Sequence, residues 1–380
     1  MAMARQEGST DRSPSRRSWW ALLTMLVLSA VFTQFSQDVA EYHRYALAFL
    51  AHPGAAWPLE YPPAAILPMI PAASPIIFTF VMALVGVILY GVLRETDRAA
   101  GQLWLMGCVL GAVFTATGRF DLLPSLFVVL ALLSAERGRW AHAWAWTAAA
   151  TALQWFGAVL GPLWLIAEWR ATGRWRWDRA VLGACAVLAT YGVAALGAGG
   201  HAALSSVAWY LHRPVEIESF AATLGAVLGP LRLVHSFGSW NVLGAQMRTV
   251  RIGFLVAQAA GQGLLWVTYA HGRIGIRTAA ALAVTWLVLA GTLFSAQYLL
   301  WMLPLWALAD WRPRWLLLLV CLLTTVDYPF SFFIAHTQMG TLAAASIRNV
   351  ALLALVILVV HRIGDAGATQ SPPLAARATS

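Results

Sequence analysis

The sequence predicts an all-α, polytopic membrane protein, and three observations carry that prediction. Hydrophobic residues fill 60% of the 380 positions and charged residues only 11%, with a mean hydropathy of +0.69; a soluble domain carries about 25% charge. Apolar runs long enough to enter or cross a bilayer recur along the chain, separated by short polar turns. All 25 basic residues are arginines, and most fall in those turns. The net charge of +9 is therefore a topology signal and does not imply nucleic-acid binding. Cys108, Cys185 and Cys321 stand alone in apolar runs, so neither a disulfide framework nor a metal motif is visible.

Taken in order, residues 1–18 are polar and Arg-rich and read as a disordered cytoplasmic tail. Residues 363–380 read as a second such tail, leaving 19–362 as one integral membrane domain. The first span, 19–35, is followed by no clean small-residue cleavage site and reads as a retained anchor. The stretch 37–63 comes next, and it concentrates three carboxylates, Asp38, Glu41 and Glu60, in a chain that uses few. Asp38, Glu41, Tyr42 and Tyr45 fall at helical spacing, one polar face of a short surface helix. Gly54, Pro58, Pro62 and Pro63 then break the helix. Further spans are expected near 73–93 and 102–117, with a fourth returning to the charged turn at 136–139. Residues 140–168 are too short for two crossings and too long for one. Their break at Gln154–Gly157 predicts two short helices meeting inside the membrane. Spans near 180–197, 250–270, 278–293, 297–309, 315–329 and 345–361 follow, with polar segments at 199–220 and 235–248. The total expected is about 10–13 membrane helices, short broken ones included.

Arginine placement orients the chain. Seven arginines, Arg44, Arg119, Arg213, Arg232, Arg248, Arg251 and Arg348, fall on one side or its edge; the other 18 fall in the tails and turns of the opposite side. The Arg-rich side is expected to be cytoplasmic, with both termini on it. On the outer side, Asp38, Glu41, Arg44, Glu60, Arg119, Asp121, Arg213, Glu218, Gln297 and Asp327 come from separate turns. If the spans pack as a bundle, these turns converge on one cavity. Loop solvation or structural ion pairing is the competing reading for each, and it is preferred for Glu41 and Glu216.

Several stretches carry a family resemblance. Asp38 follows the first span, Tyr42 follows it, and Glu60-Tyr61-Pro62-Pro63 lies downstream. The segments 118–140 (GRFDLLPSLFVVLALLSAERGRW), 147–165, 213–219 (RPVEIES) and 295–308 (SAQYLLWMLPLWAL) agree in order. Together they resemble the family 87 glycosyltransferases of actinobacterial envelopes. The resemblance implies a GT-C-type helical bundle with an extracytoplasmic active site and a polyprenyl-phosphate-linked sugar, mannose in the family, as donor. It implies a glycolipid or glycan acceptor and a multi-pass location in the cell membrane. Where the family often shows Thr-Lys followed by Pro in the broken hairpin, this chain has Leu153-Gln154-Trp155, which removes a lysine contact to phosphate.

The chemistry expected of such a site needs few groups. A sugar hydroxyl is a poor nucleophile, so a carboxylate must take its proton as the new bond forms. Asp38 is the candidate base. The leaving lipid phosphate needs a forked cation, for which Arg119 and Arg213 are candidates. Tyr61, Trp57 and Trp209 offer rings for sugar faces, although an outer Trp is also an interface anchor. Gln297 and Tyr298 can bind sugar or cap a helix. Asp327, Tyr328 and His336 can complete an acceptor site, and the break at Gln154 offers a groove for the lipid chain. No metal and no cofactor are expected. The inner turns are too small for a nucleotide-binding domain, which argues against a nucleotide-sugar donor. A flippase or transporter for a lipid-linked sugar, or a non-catalytic family member, remains the alternative.

Overall fold

The structure is a computed structural model and describes residues 16–33, 36–54, 56–334 and 337–369. It is an all-α membrane bundle with one small sheet. Among the described residues, five helices are long and apolar enough to cross a membrane: Pro75–Thr96, Trp177–Ala198, Met247–Ala270, Arg314–Ser331 and Gln338–Ile363. A sixth span is possible if the bent pair Arg17–Thr33 and Gln37–Ala51, which meet at 73°, counts as one. The segments Pro63–Ala73, Leu122–Glu136, Ile276–Leu289 and Ala296–Leu308 are apolar but shorter, and these account for much of the difference from the larger helix count expected. Helix extends into both segments read as tails. The first helix begins at Arg16, and the last runs from Gln338 to Thr369.

The centre of the bundle is the helix Leu299–Leu308, all of whose residues are buried. It packs against Arg98–Gly111, Leu122–Glu136 and Ile276–Leu289. Lipid gives little hydrophobic driving force between helices, so close approach of small residues supplies the attraction. Ile276–Leu289 carries such small residues at Ala279, Ala280, Ala281 and Ala283, all fully buried. Punctuation is local. Ser74 precedes Pro75 at the first helical position, where a missing N–H costs nothing. Asp97 Oδ1 accepts the Ala99 N–H at 2.8 Å and caps the next helix.

Three features position one end of the bundle. The first is a hydroxyl cluster. Thr117 donates from N–H (3.0 Å) and hydroxyl (2.9 Å) to Ser29 Oγ, and Thr33 Oγ1 lies 2.9 Å from Thr117 Oγ1. It pins the turns carrying Arg119 and Asp121 to the first helix. The second is the break in 140–172. Helix Trp140–Leu153 stops at extended Gln154, a 3-10 segment Trp155–Leu160 follows, and Gly161–Thr172 resumes the helix, as the sequence predicts. The third is a close backbone crossing. Gly54, at φ 88°, lies against Gly197, where an added Cβ would sit 2.4 Å from the Gly54 carbonyl oxygen. Only glycine at 197 lets the loop after Gln37–Ala51 lie on the helix Trp177–Ala198.

The sheet was not expected. β1 (Val215–Glu216), β2 (Arg232–Ser236) and β3 (Ser239–Leu243) run antiparallel in the order β1-β3-β2, with Leu233 opposite Val242 and His235 opposite Trp240. One face packs on a small core of its own, built from Val215, Ile217, Ala221, Ala222, Val242, Met247, Val250 and Leu342. The β2–β3 turn is Phe237-Gly238, both at positive φ, 54° and 72°. Left-handed backbone at a non-glycine residue costs about 1–2 kcal/mol. Asn241 Nδ2 secures the turn by donating to the Ser236 carbonyl at 2.6 Å.

A fully buried guanidinium joins the last helix to this end. Arg348 Nη1 donates to Asp327 at 2.7 Å and Nη2 to the Glu218 carbonyl at 2.7 Å, while its Cζ lies 3.8 Å from the Phe294 ring centroid. Both Arg348 and Asp327 are 0% exposed. Removing one member of such a pair leaves the other charge buried and alone. Arg348→Ala is therefore expected to cost about 3–5 kcal/mol, read as a lower thermal midpoint in detergent. The double variant Arg348→Met, Asp327→Leu should recover most of that loss. An unchanged midpoint for Arg348→Ala would contradict this account.

Candidate active site

One cavity of about 740 Å³ opens at the end of the bundle just described. Many of the residues expected at the site line it: Asp38, Glu60, Tyr61, Arg119, Gln154, Trp209, Arg213, Glu218, Gln297, Tyr298 and Tyr328. Turns separated by more than 200 residues in sequence thus meet, as bundle packing requires. Asp121 and Asp327 are not lining residues. Asp121 lies buried behind the wall and accepts from Trp301 Nε1 at 2.7 Å, and Asp327 is held by Arg348. His336 lies outside the described residues. Trp57 does not line the cavity either; its Nε1 donates to the Gly54 carbonyl at 2.8 Å and its ring packs on Phe49.

Aromatic packing braces the wall residues around Asp38 and Tyr61. Tyr42 is buried among Phe78, Phe120 and Tyr61, with ring centroids 5.5–6.1 Å apart, and its hydroxyl lies 3.3 Å from that of Tyr61. Tilted and edge-on contacts of this kind add to apolar burial. His43 Nδ1 reaches the Ala72 carbonyl oxygen at 2.8 Å. On this support stands Asp38, in the first turn of Gln37–Ala51, where a carboxylate also meets the positive end of the helix dipole. Arg119 pairs with Asp38 Oδ2 at 2.5 Å, and the Ser36 hydroxyl donates to the same oxygen at 3.3 Å. Arg119, expected as a contact to phosphate, is thus committed to Asp38. The hydroxyl cluster at Ser29 and Thr117 fixes the turn that brings it there.

Arg213 has a comparable position in the opposite half of the sequence. Its Nη2 donates to Glu216 Oε1 at 2.7 Å and lies 2.7 Å from Ser239 Oγ. Its Cζ sits 4.5 Å from the Trp209 ring centroid. Its Nε is buried and, among the described residues, has no partner. Glu216 also lines the cavity, and its second oxygen accepts the Phe294 N–H at 3.0 Å. Between the two halves runs an aromatic column. Trp301 stacks on Phe156 at 4.4 Å and on Tyr298 at 3.9 Å, which ties the broken hairpin to the segment Ala296–Tyr298.

The charge balance of the wall is informative. Arg44 pairs with Glu41, Arg119 with Asp38 and Arg213 with Glu216. Glu60 and Glu218 are the lining carboxyls left outside these pairs. Burial, reinforced by the negative charge of Asp38, pushes the Glu60 carboxyl up to about 7. Burial, with Asp327 and Glu216 nearby, holds Glu218 well above the usual carboxylate range. Sequence reasoning missed Tyr210 and the hairpin residues His235, Phe237, Gly238, Ser239 and Trp240, all of which line the cavity. The Phe-Gly dipeptide between alternating apolar residues was the available signal. Among the described residues, no three His, Cys, Asp or Glu side chains converge as a metal site.

Compared with known proteins, the chain matches no family model, and no curated protein or solved structure matches it significantly.

Glu60 gives a test of this electrostatic picture. Its folded pKa of about 7 lies above the ordinary 4.5, so the folded state binds the proton more tightly than the unfolded chain. The group's favourable contribution is complete below about pH 4.5 and is lost as pH rises through about 7. Thermal midpoints of wild type and Glu60→Gln, followed across that window in detergent, should diverge in favour of the variant as pH rises. A pH-independent difference would show that Glu60 titrates as an ordinary exposed acid.

Proposed function

We propose that this chain is a membrane glycosyltransferase of the family 87 type. It moves a sugar from a polyprenyl-phosphate donor to an envelope glycolipid or glycan on the extracytoplasmic side. The observation that carries the reading is a polar cavity at one end of a membrane bundle, where a fixed carboxylate, a buried arginine and two carboxyls outside any ion pair among the described residues meet. In this reading the acceptor hydroxyl oxygen attacks the anomeric carbon of the donor. Its proton passes to Asp38, the bond from the anomeric carbon to the phosphate oxygen breaks, and the electron pair leaves with the lipid phosphate. Arg119 acts through Asp38: by holding Oδ2 it orients the carboxylate and leaves Oδ1 for the acceptor.

The phosphate falls to Arg213. Its Nη1 makes no hydrogen bond among the described residues, and Glu216, Ser239 and Trp209 hold the guanidinium in place. Preorganised cations of this kind stabilise charge developing on a leaving group. Gln154, at the break, stands where the family carries its lysine. It offers a neutral hydrogen-bonding group in the cavity wall, so the charge on phosphate rests on arginine alone. The seven arginines on the cavity side against 18 on the other support an extracytoplasmic cavity and cytoplasmic termini.

Two outcomes follow. Asp38→Asn should fold and bind donor yet lose about 10²-fold or more in turnover. Purified protein in nanodiscs, given an envelope lipid extract as acceptor, should transfer radiolabel from a polyprenyl-phosphate sugar and not from a nucleotide sugar. Transfer from the nucleotide sugar alone would sink the reading. Transfer from neither donor would favour a transporter or a non-catalytic lipid binder.

A further inference from the structure

Turn chemistry singles out one residue in the cavity wall. A two-residue hairpin turn with two positive φ angles favours Asn or Asp before Gly, because short polar side chains tolerate left-handed backbone. Here the position is Phe237, at φ 54°. A bulky residue is a poor choice for the turn itself, and strain of this sort persists where the side chain serves something else. The half-buried Phe237 ring lines the cavity and stands edge-on to Trp209, with centroids 5.6 Å apart and an interplanar angle of 78°. Trp240, across the turn, also lines the cavity and is half-buried, with His235 edge-on to it at 5.4 Å.

Three aromatic rings held part-way out of the protein beside unpaired carboxyls have a recognisable chemistry. Aromatic faces suit the C–H faces of a pyranose ring, and carboxyls such as Glu60 and Glu218 suit its hydroxyls. The lining cation near this end, Arg213, is the group assigned above to the donor phosphate, which leaves the rings and the carboxyls outside the ion pairs to a neutral ligand. The hairpin packs on its own small core and belongs to none of the helices long enough to cross a membrane. A polyprenyl chain is confined to the bilayer, so the donor enters along the helices, and the hairpin is left to the sugar end of the acceptor.

We propose that the β2–β3 hairpin tip is the subsite for the acceptor's terminal sugar, with Phe237, Trp209 and Trp240 receiving the C–H faces of a neutral pyranose. The assignment to the acceptor rests on the transferase reading above; the sugar site itself is measured without turnover. Saturation-transfer NMR on full-length protein in nanodiscs, with methyl mannopyranoside and methyl glucopyranoside as probes and inorganic phosphate as an anionic competitor, reads binding directly. Wild type should saturate ring protons of at least one glycoside, and phosphate should not displace it. Phe237→Gly suits the turn, so its thermal midpoint should be equal or higher, while its glycoside affinity falls about fivefold. Phe237→Tyr should retain binding. Trp240→Leu is the second arm should Phe237→Gly fail to fold, with the same loss expected.

Wild-type affinity in a folded Phe237→Gly, or in Trp240→Leu, would overturn the proposal. So would the absence of glycoside saturation in wild type, or its displacement by phosphate, even in protein that transfers sugar normally. Saturation that depends on Phe237, in protein that transfers from no donor, would uphold the sugar site and fail the transferase reading instead.

Discussion

A charge cannot stay buried without a partner, and that constraint organises this end of the molecule. Arg348 is fully enclosed, so it must spend its donors on Asp327 and on the Glu218 carbonyl. In doing so it joins the last helix, the end of the preceding one and the strand-to-helix turn at Ile217–Ser219. Asn349 adds a second bond to the same carbonyl at 3.0 Å. Glu218 is therefore delivered to the cavity by a backbone that has little freedom. The same rule operates one layer out. Asp38 and Arg119 neutralise one another across turns distant in sequence, and Arg213 and Glu216 do so within one segment, three residues apart. These pairs are better understood as register marks than as sources of net stability, since desolvation offsets much of their attraction.

Pairing also sets what the cavity presents. With each lining arginine paired to a carboxylate, the acids left outside those pairs are Glu60 and Glu218, and burial biases both toward their protonated forms. A protonated carboxyl donates as well as accepts, which suits hydroxyl-rich ligands better than a wall of fixed charge would. The aromatic column of Phe156, Trp301 and Tyr298 gives that polar surface a stiff backing.

Much of the fold was legible because membrane depth imposes long apolar runs and a bias in arginine placement, both visible in a single sequence. The break at Gln154 was legible for a related reason: the run around it fits neither one crossing nor two. Scarcity exposed the site residues, since a carboxylate such as Asp38 beside a span end needs a reason to be there. Pairings were not legible. Nothing local tells Arg119 to choose Asp38, because that choice depends on the turn being pinned by Thr117 to Ser29 and Thr33. The hairpin was hidden for a different reason. Its strands have five residues each, and the expected Asn-Gly signal is replaced by Phe-Gly, so an apolar background masked the alternation.

The small core beneath the sheet shares no residue with the large core of the bundle. Energetic effects at sites without common partners are close to additive. Drift in the hairpin sequence is therefore insulated from the large core of the bundle, and it reaches two of the spanning helices through Met247, Val250 and Leu342. A lineage could rework the outer rim repeatedly while its membrane scaffold stayed constant, so that descendants with one architecture would diverge first in the twelve residues from Arg232 to Leu243.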